Sequence, residues 1–222
     1  FLRALIQDRD GGPAWMIYEP LLQKSSLSAV VKDVLGEEKS PKDLTAEESA
    51  EVYAQLEEVV EVEGNSVIFH LPKPFPPFLS IIAQGNGLGA IIDKEWTIEQ
   101  GGWDGKAESI AEYTNPSKEK DPLFEKMNGT GPYKFVEWVS GERVVLEKNE
   151  DYYEENRPYL DKAVYRIIVE GTSAFPEYEQ GNIYQMDSDI PQGQIKTVMD
   201  PEGEFANEFR KVDRLGTYYI GF

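Results

Sequence analysis

The stretch Gly129-Thr130-Gly131-Pro132-Tyr133-Lys134-Phe135-Val136-Glu137-Trp138, followed by Val144-Val145-Leu146-Glu147-Lys148-Asn149 and Asp151-Tyr152-Tyr153, leaves the backbone few choices. Gly129 and Gly131 admit angles that other residues resist, and Pro132 fixes the entry into the strand beyond it. Tyr133, Phe135 and the 143–148 run are rich in strand formers, and Ser140-Gly141-Glu142 supplies the reversal between them. The block predicts a tight turn that opens a β-hairpin.

The rest of the chain predicts alternating helices and strands. Thr45-Ala46-Glu47-Glu48 is a capping box, and Val52, Leu56, Val59 and Val60 fall at helical spacing, so a helix is predicted over 46–58. A second hairpin is predicted where Val60 and Val62 alternate with acids, Glu63-Gly64-Asn65 turns, and Val67, Phe69 and Leu71 alternate back. Pro72, Pro74, Pro76 and Pro77 enforce an extended link. Further helices are predicted at 78–84, 93–100, 107–113, 172–180 and 192–199, and strands at 90–92, 163–169, 183–186 and 218–222. Residues 1–24 read as a turn at Gly11-Gly12-Pro13 followed by a short apolar segment. Residues 25–44 read as a loop or a short helix around 27–35.

Composition narrows the function classes. The 222 residues carry 22 basic against 41 acidic side chains, a net charge of −19. Such a field disfavours nucleic acid and anionic membrane surfaces as partners. With no cysteine, disulfides, thiolate nucleophiles and thiolate metal sites are excluded. The apolar runs are too short to span a bilayer. The chain starts at Phe1 rather than Met, with no secretory leader in view. The strand at 218–222 stops with the chain, so the natural protein is expected to extend further.

Catalytic patterns find little footing. Gly85-Asn86-Gly87-Leu88-Gly89-Ala90 matches a dinucleotide fingerprint, but a proline-rich link and a predicted helix precede it where a strand is required, so it reads as a flexible turn. His70 is the one histidine; it is out of phase with Phe69 and Leu71 and is expected to face solvent. Asp8-Arg9-Asp10-Gly11-Gly12 lacks the later ligands of a calcium loop. Asn128-Gly129-Thr130 is a formal glycosylation sequon, but it overlaps the turn motif and reads as a coincidence of that turn's composition. Trp138 is expected in the core. Trp103, within Gly101-Gly102-Trp103-Asp104-Gly105, is expected either to stack on a ligand or to pack in the core.

The ordered motifs resemble the extracellular solute-binding proteins that serve peptide/nickel-type ABC importers. Beside the 129–153 block, the resemblance rests on Tyr18-Glu19-Pro20-Leu21 as an early strand-end segment and on Val67–Leu71 with Pro74–Leu79. It rests also on Tyr159-Leu160-Asp161-Lys162 with Tyr165-Arg166-Ile167-Ile168, and on Gly216–Phe222. One step departs: Tyr184 in Gly181-Asn182-Ile183-Tyr184 stands where the family has Asp. The resemblance implies a mixed α/β, periplasmic-binding-protein-like type II fold with a central mixed β-sheet flanked by helices. It also implies that residues 1–222 are most of the first lobe, with a second lobe expected after 222.

Such a protein closes two lobes on its ligand by hinge motion. The implied function is capture of oligopeptides or oligosaccharides outside the cell, in an extracellular or periplasmic and membrane-anchored protein, for delivery to ABC permease subunits. No cofactor and no metal or catalytic residue is implied. By loop position the residues expected to face the cleft are Tyr18, Glu19, Trp103, Asp187, Ser188 and Asp189. The rival reading is a carboxylate-based polysaccharide hydrolase, or its carbohydrate-binding module, motivated by the acids and tryptophans. A folded scaffold with no activity of its own is a third.

Overall fold

The computed structural model describes residues 1–84, 88–187 and 189–210. The chain divides into two compact units. The first takes Phe1–Phe135 with Lys148–Tyr159, and the second takes Val136–Glu147 with the chain from Leu160 onward.

The first unit is mainly helical: α1 (Leu2–Gln7), α2 (Trp15–Leu22), α3 (Leu27–Leu35), α4 (Ala46–Glu57), α5 (Phe78–Ile82), α6 (Lys94–Glu99) and α7 (Ile110–Tyr113), with the hairpin β1 (Val60–Glu63) and β2 (Ser66–Phe69) between α4 and α5. The capping box at the start of α4 is complete. Thr45 Oγ1 accepts from the Glu48 amide at 3.2 Å, and Glu48 Oε2 accepts from the Thr45 amide at 2.7 Å. Both ends of the box are thereby satisfied at a helix start that otherwise leaves donors without partners. Val52 and Leu56 are fully buried against Leu5, Ile17, Val30, Val31 and Ile110. Each such side chain contributes about 1.5–3 kcal/mol of burial free energy. At α3, Ser26 Oγ accepts from the Ala29 amide at 3.3 Å and Asp8 Oδ2 from the Leu27 amide at 2.7 Å, so the end of α1 is tied to the start of α3.

The β1–β2 hairpin pairs antiparallel, with Val60 opposite Phe69 and Val62 opposite Val67. Opposed residues share a face. Val60 and Phe69 pack on the core, whereas Val62 and Val67 lie exposed at the outer end. The hairpin's buried face is therefore confined to the Val60–Phe69 pair at its inner end. His70 is exposed as expected, with Nε2 3.1 Å from Glu61 Oε2.

The 129–153 motif builds the hairpin β3 (Tyr133–Val139) and β4 (Arg143–Lys148), turning at 140–142. A signal inside the motif explains why it closes. Asn149, 5% exposed, donates from Nδ2 to the Gly131 carbonyl at 2.8 Å, and its own amide donates to the Pro132 carbonyl at 2.9 Å. Its Oδ1 accepts from the Asp151 amide at 3.1 Å. One side chain thus locks the entry of the hairpin to its exit, and buried polar groups left without such partners are costly.

In the second unit, β5 (Lys162–Arg166) pairs antiparallel with β4, completing a sheet of order β3-β4-β5. Arg143 stands directly opposite Arg166. The like charges are offset by Glu137, 2.5 Å from Arg143, and by Glu177 of α8 (Gly171–Glu179), 2.7 Å from Arg166. Helix α8 runs through Pro176 as predicted. It buries Ala174 and Phe175, the latter against Phe205 and Val198 of α9 (Ile195–Val198).

Several expectations are corrected. Residues 15–22 form α2, not an irregular or strand-end segment: Ile17, Tyr18 and Leu21 fall on one buried helical face, and that burial outweighs the bond lost at Pro20. No strand forms at 90–92, where Ile91 is fully exposed, or at 183–186, where Tyr184 is 95% exposed. Each segment has three apolar residues and no partner strand among the described residues, which bury too little to hold an extended pairing. The mixed α/β class holds. Among the described residues the strands form sheets of two and three members rather than one central sheet. Trp138 is half-buried rather than core. The strand predicted at 218–222 and the turn at 85–87 lie outside the described residues. Among the described residues no helix is long and apolar enough to cross a membrane.

Candidate functional site

The six residues expected to face a ligand fall in different places. In the first unit, Tyr18 is fully buried on α2, and its hydroxyl donates to the Leu5 carbonyl at 2.7 Å. Burial, reinforced by the nearby Asp8 carboxylate, pushes its phenol far up, so it remains a neutral donor. Its neighbour Glu19 points outward and lines a depression of about 440 Å³ with Trp15, Met16, Pro20, Pro74 and Phe75. Trp15, half exposed there, lies one turn before Glu19 on the same helix.

Trp103 is neither free nor fully buried. It packs on the core beside Tyr53, ring centroids 6.1 Å apart, and its indole N–H donates to the Lys106 carbonyl at 3.2 Å. The loop around it is organised by Asp104. Its Oδ1 accepts from the Lys106 amide at 3.0 Å and from the Ser109 hydroxyl at 2.6 Å, and its Oδ2 lies 3.0 Å from Lys106 Nζ. Gly102 makes the close approach possible, since a Cβ there would lie 2.7 Å from Thr97 Cγ2 and 2.9 Å from the Thr97 carbonyl. Trp103 thus packs in part on the core.

Burial alone would raise the Asp104 pKa, but the Ser109 and Lys106 donors outweigh it and hold the carboxyl below its ordinary value of 3.8. A depressed acid contributes stability that is present above its unfolded pKa and is lost as pH falls through the folded one. Loosening of the 101–109 loop is therefore expected to begin only as pH drops below about 4. It should be read as a change in Trp103 emission that Asp104→Asn removes. Emission that changes equally in the variant would refute the assignment.

In the second unit, Asp187 and Asp189 come together on one open depression of about 1120 Å³. Tyr178, Tyr184, Phe209 and Arg210 also line it. Glu208, another lining residue, accepts from the Tyr178 hydroxyl and raises its pKa. Carboxylates accept bonds from ammonium and amide N–H groups, and the aromatic rings offer apolar faces. Ser188 lies outside the described residues. Tyr184 and Arg210 were not foreseen as lining residues.

A model of the bacterial extracellular solute-binding proteins, family 5 Middle, matches residues 7–222. The chain belongs to this family.

Among curated family relatives, the oligopeptide-binding protein AppA of Bacillus subtilis (strain 168) is 42% identical over 92 residues, 41% of this chain and 16% of that protein. The periplasmic oligopeptide-binding protein OppA of Salmonella typhimurium is 30% identical over 89 residues, 40% of this chain and 16% of that protein. Among solved structures, Helicobacter pylori DppA in complex with the peptide STSA shares 28% identity over 63% of this chain and 24% of its own, with a TM-score of 0.46. Bacillus subtilis AppA in complex with a nonapeptide shares 27% over 64% and 25%, with a TM-score of 0.45. The matched region spans about a sixth of the curated relatives' length. The family is one of solute-binding proteins rather than enzymes.

Proposed function

We propose that this chain is part of the substrate-binding component of an ABC importer that captures oligopeptides outside the cell and delivers them to a membrane permease. The carrying observation is the family match across residues 7–222, with relatives named for oligopeptide binding. In this reading residues 1–222 contribute most of the first lobe of a two-lobe protein, extracellular or periplasmic and membrane-anchored. Oligosaccharide capture and polysaccharide hydrolysis draw no support from the family or the relatives.

Asp187, Ser188 and Asp189 are the residues proposed to meet peptide N–H and ammonium groups, with Glu19 contributing from its own surface. Tyr18 acts beneath the surface, holding the helix that carries Glu19, whereas Trp103 is half-buried and packs on the core beside Tyr53. Peptides are held chiefly by main-chain hydrogen bonds with roomy side-chain pockets, so a site of acids and aromatics suits varied sequences.

The test is calorimetric titration of the full-length protein with mixed short peptides and, separately, with oligosaccharides. Saturable binding of peptides, recovered uncleaved, is the expected result. Binding of sugars alone, or conversion of the added substrate, would overturn the reading.

A further inference from the structure

We propose that Asn128 is the acceptor for an N-linked glycan. The inference rests on the exported location proposed above. It is carried by the coincidence of a complete sequon with an open loop. Asn128-Gly129-Thr130 has the required hydroxyl residue two positions on and no proline between. It sits in the irregular segment between the turn at 122–125 and β3, where residues 125–130 are all exposed. A Cβ built at Gly129 would come no closer to a neighbour than 4.0 Å, to the Gly131 amide, so the backbone beside the acceptor is uncrowded.

Other asparagines show the contrast. Asn115-Pro116-Ser117 has the same outline, but proline occupies the middle position, and Asn115 is engaged: its Oδ1 accepts from the Asp10 amide at 3.2 Å and its own amide donates to the Gln7 carbonyl at 2.6 Å. Asn149 is buried in the hairpin lock. Asn128 combines sequon and exposure, and its modification leaves the lock intact, because the Gly131 carbonyl held by Asn149 lies three residues further on.

The chemistry is a glycosyl transfer from a lipid-linked oligosaccharide diphosphate, catalysed by a transferase of the exporting cell. Asn128 Nδ2 attacks the anomeric carbon of the first sugar, and a C–N bond forms as the bond from that carbon to the phosphate oxygen breaks. The lipid diphosphate leaves with the electron pair, and one Nδ2 proton passes to base. No oxidation state changes. The product is a bulky, solvated group on the outside of the first unit, beside the tryptic site at Lys126.

The experiment is mass spectrometry of the full-length protein recovered from the outside of the cells that encode it. Trypsin releases residues 127–134 between Lys126 and Lys134. That peptide is expected to carry a sugar mass that is lost in Asn128→Gln and Thr130→Ala and retained in Thr130→Ser. Protein found outside the cell with residues 127–134 unmodified, or changed only by conversion of the amide to an acid, would overturn the inference and leave the location standing. Protein confined to the cytosol and unmodified would overturn both.

Discussion

Tyr18→Ala is expected to destabilise the first unit by about 3–5 kcal/mol, the range for deleting a buried aromatic ring. Tyr18 is the largest fully buried side chain among the described residues, in the central cluster with Leu5, Ile17 and Val31. Tyr18→Phe separates the ring from its hydroxyl. The ring would still fill its site, but the Leu5 carbonyl would lose the donor now 2.7 Å away. That carbonyl belongs to the last turn of α1, where helix carbonyls lack partners within the helix, so about 1–2 kcal/mol should go with the hydroxyl. Urea unfolding followed by tryptophan emission reads the difference, because Trp15, Trp96 and Trp103 all lie in this unit. Peptide affinity of the full-length protein should be unchanged by Tyr18→Phe. A large loss of affinity at unaltered stability would return Tyr18 to the binding surface.

Tyr18 also illustrates what could be read beforehand and what could not. Local signals were legible where chemistry is local. The Thr45–Glu48 box needs only four residues, and the turn at 140–142 needs only its glycine and flanking strands. Even Pro176 inside α8 did not mislead, because Phe175 and Ala174 kept one buried face. Failures arose where a segment's state depends on a distant partner. Ala90-Ile91-Ile92 has strand composition but pairs with no strand among the described residues, and Tyr18 lies on a helix because Leu5 and Val31 surround it. Periodicity reports which residues share a face, not what that face meets. For the same reason Asp187 and Asp189 were placed on a loop correctly, while Tyr184, Phe209 and Arg210 around the same depression were not foreseen.

That depression depends on a contact made by the absence of a side chain. A Cβ on Gly171 would lie 2.0 Å from the Asp189 carbonyl oxygen and 3.2 Å from its carbon. Both are backbone atoms, so no rotamer change relieves the clash: Gly171→Ala must displace either the first turn of α8 or the loop through Asp189 to Pro191. Helix α8 is the better anchored of the two. Phe175 is buried with its ring 5.7 Å from Phe205, and Glu177 holds Arg166 at 2.7 Å. The loop should therefore yield, carrying Asp189 and with it Asp187 out of place. Overpacking of this kind costs about 1–3 kcal/mol in stability. If the two carboxylates bind peptide, a similar loss of contact energy lowers affinity about tenfold or more, since about 1.4 kcal/mol corresponds to one decade. Gly193→Ala is the control: nothing lies within 4 Å of a Cβ at that position, and its effect should stay within about 0.5 kcal/mol. Gly171→Ala with stability lowered and peptide affinity intact would detach Asp187 and Asp189 from the ligand, whereas loss of affinity in Gly171→Ala alone would tie the loop to it.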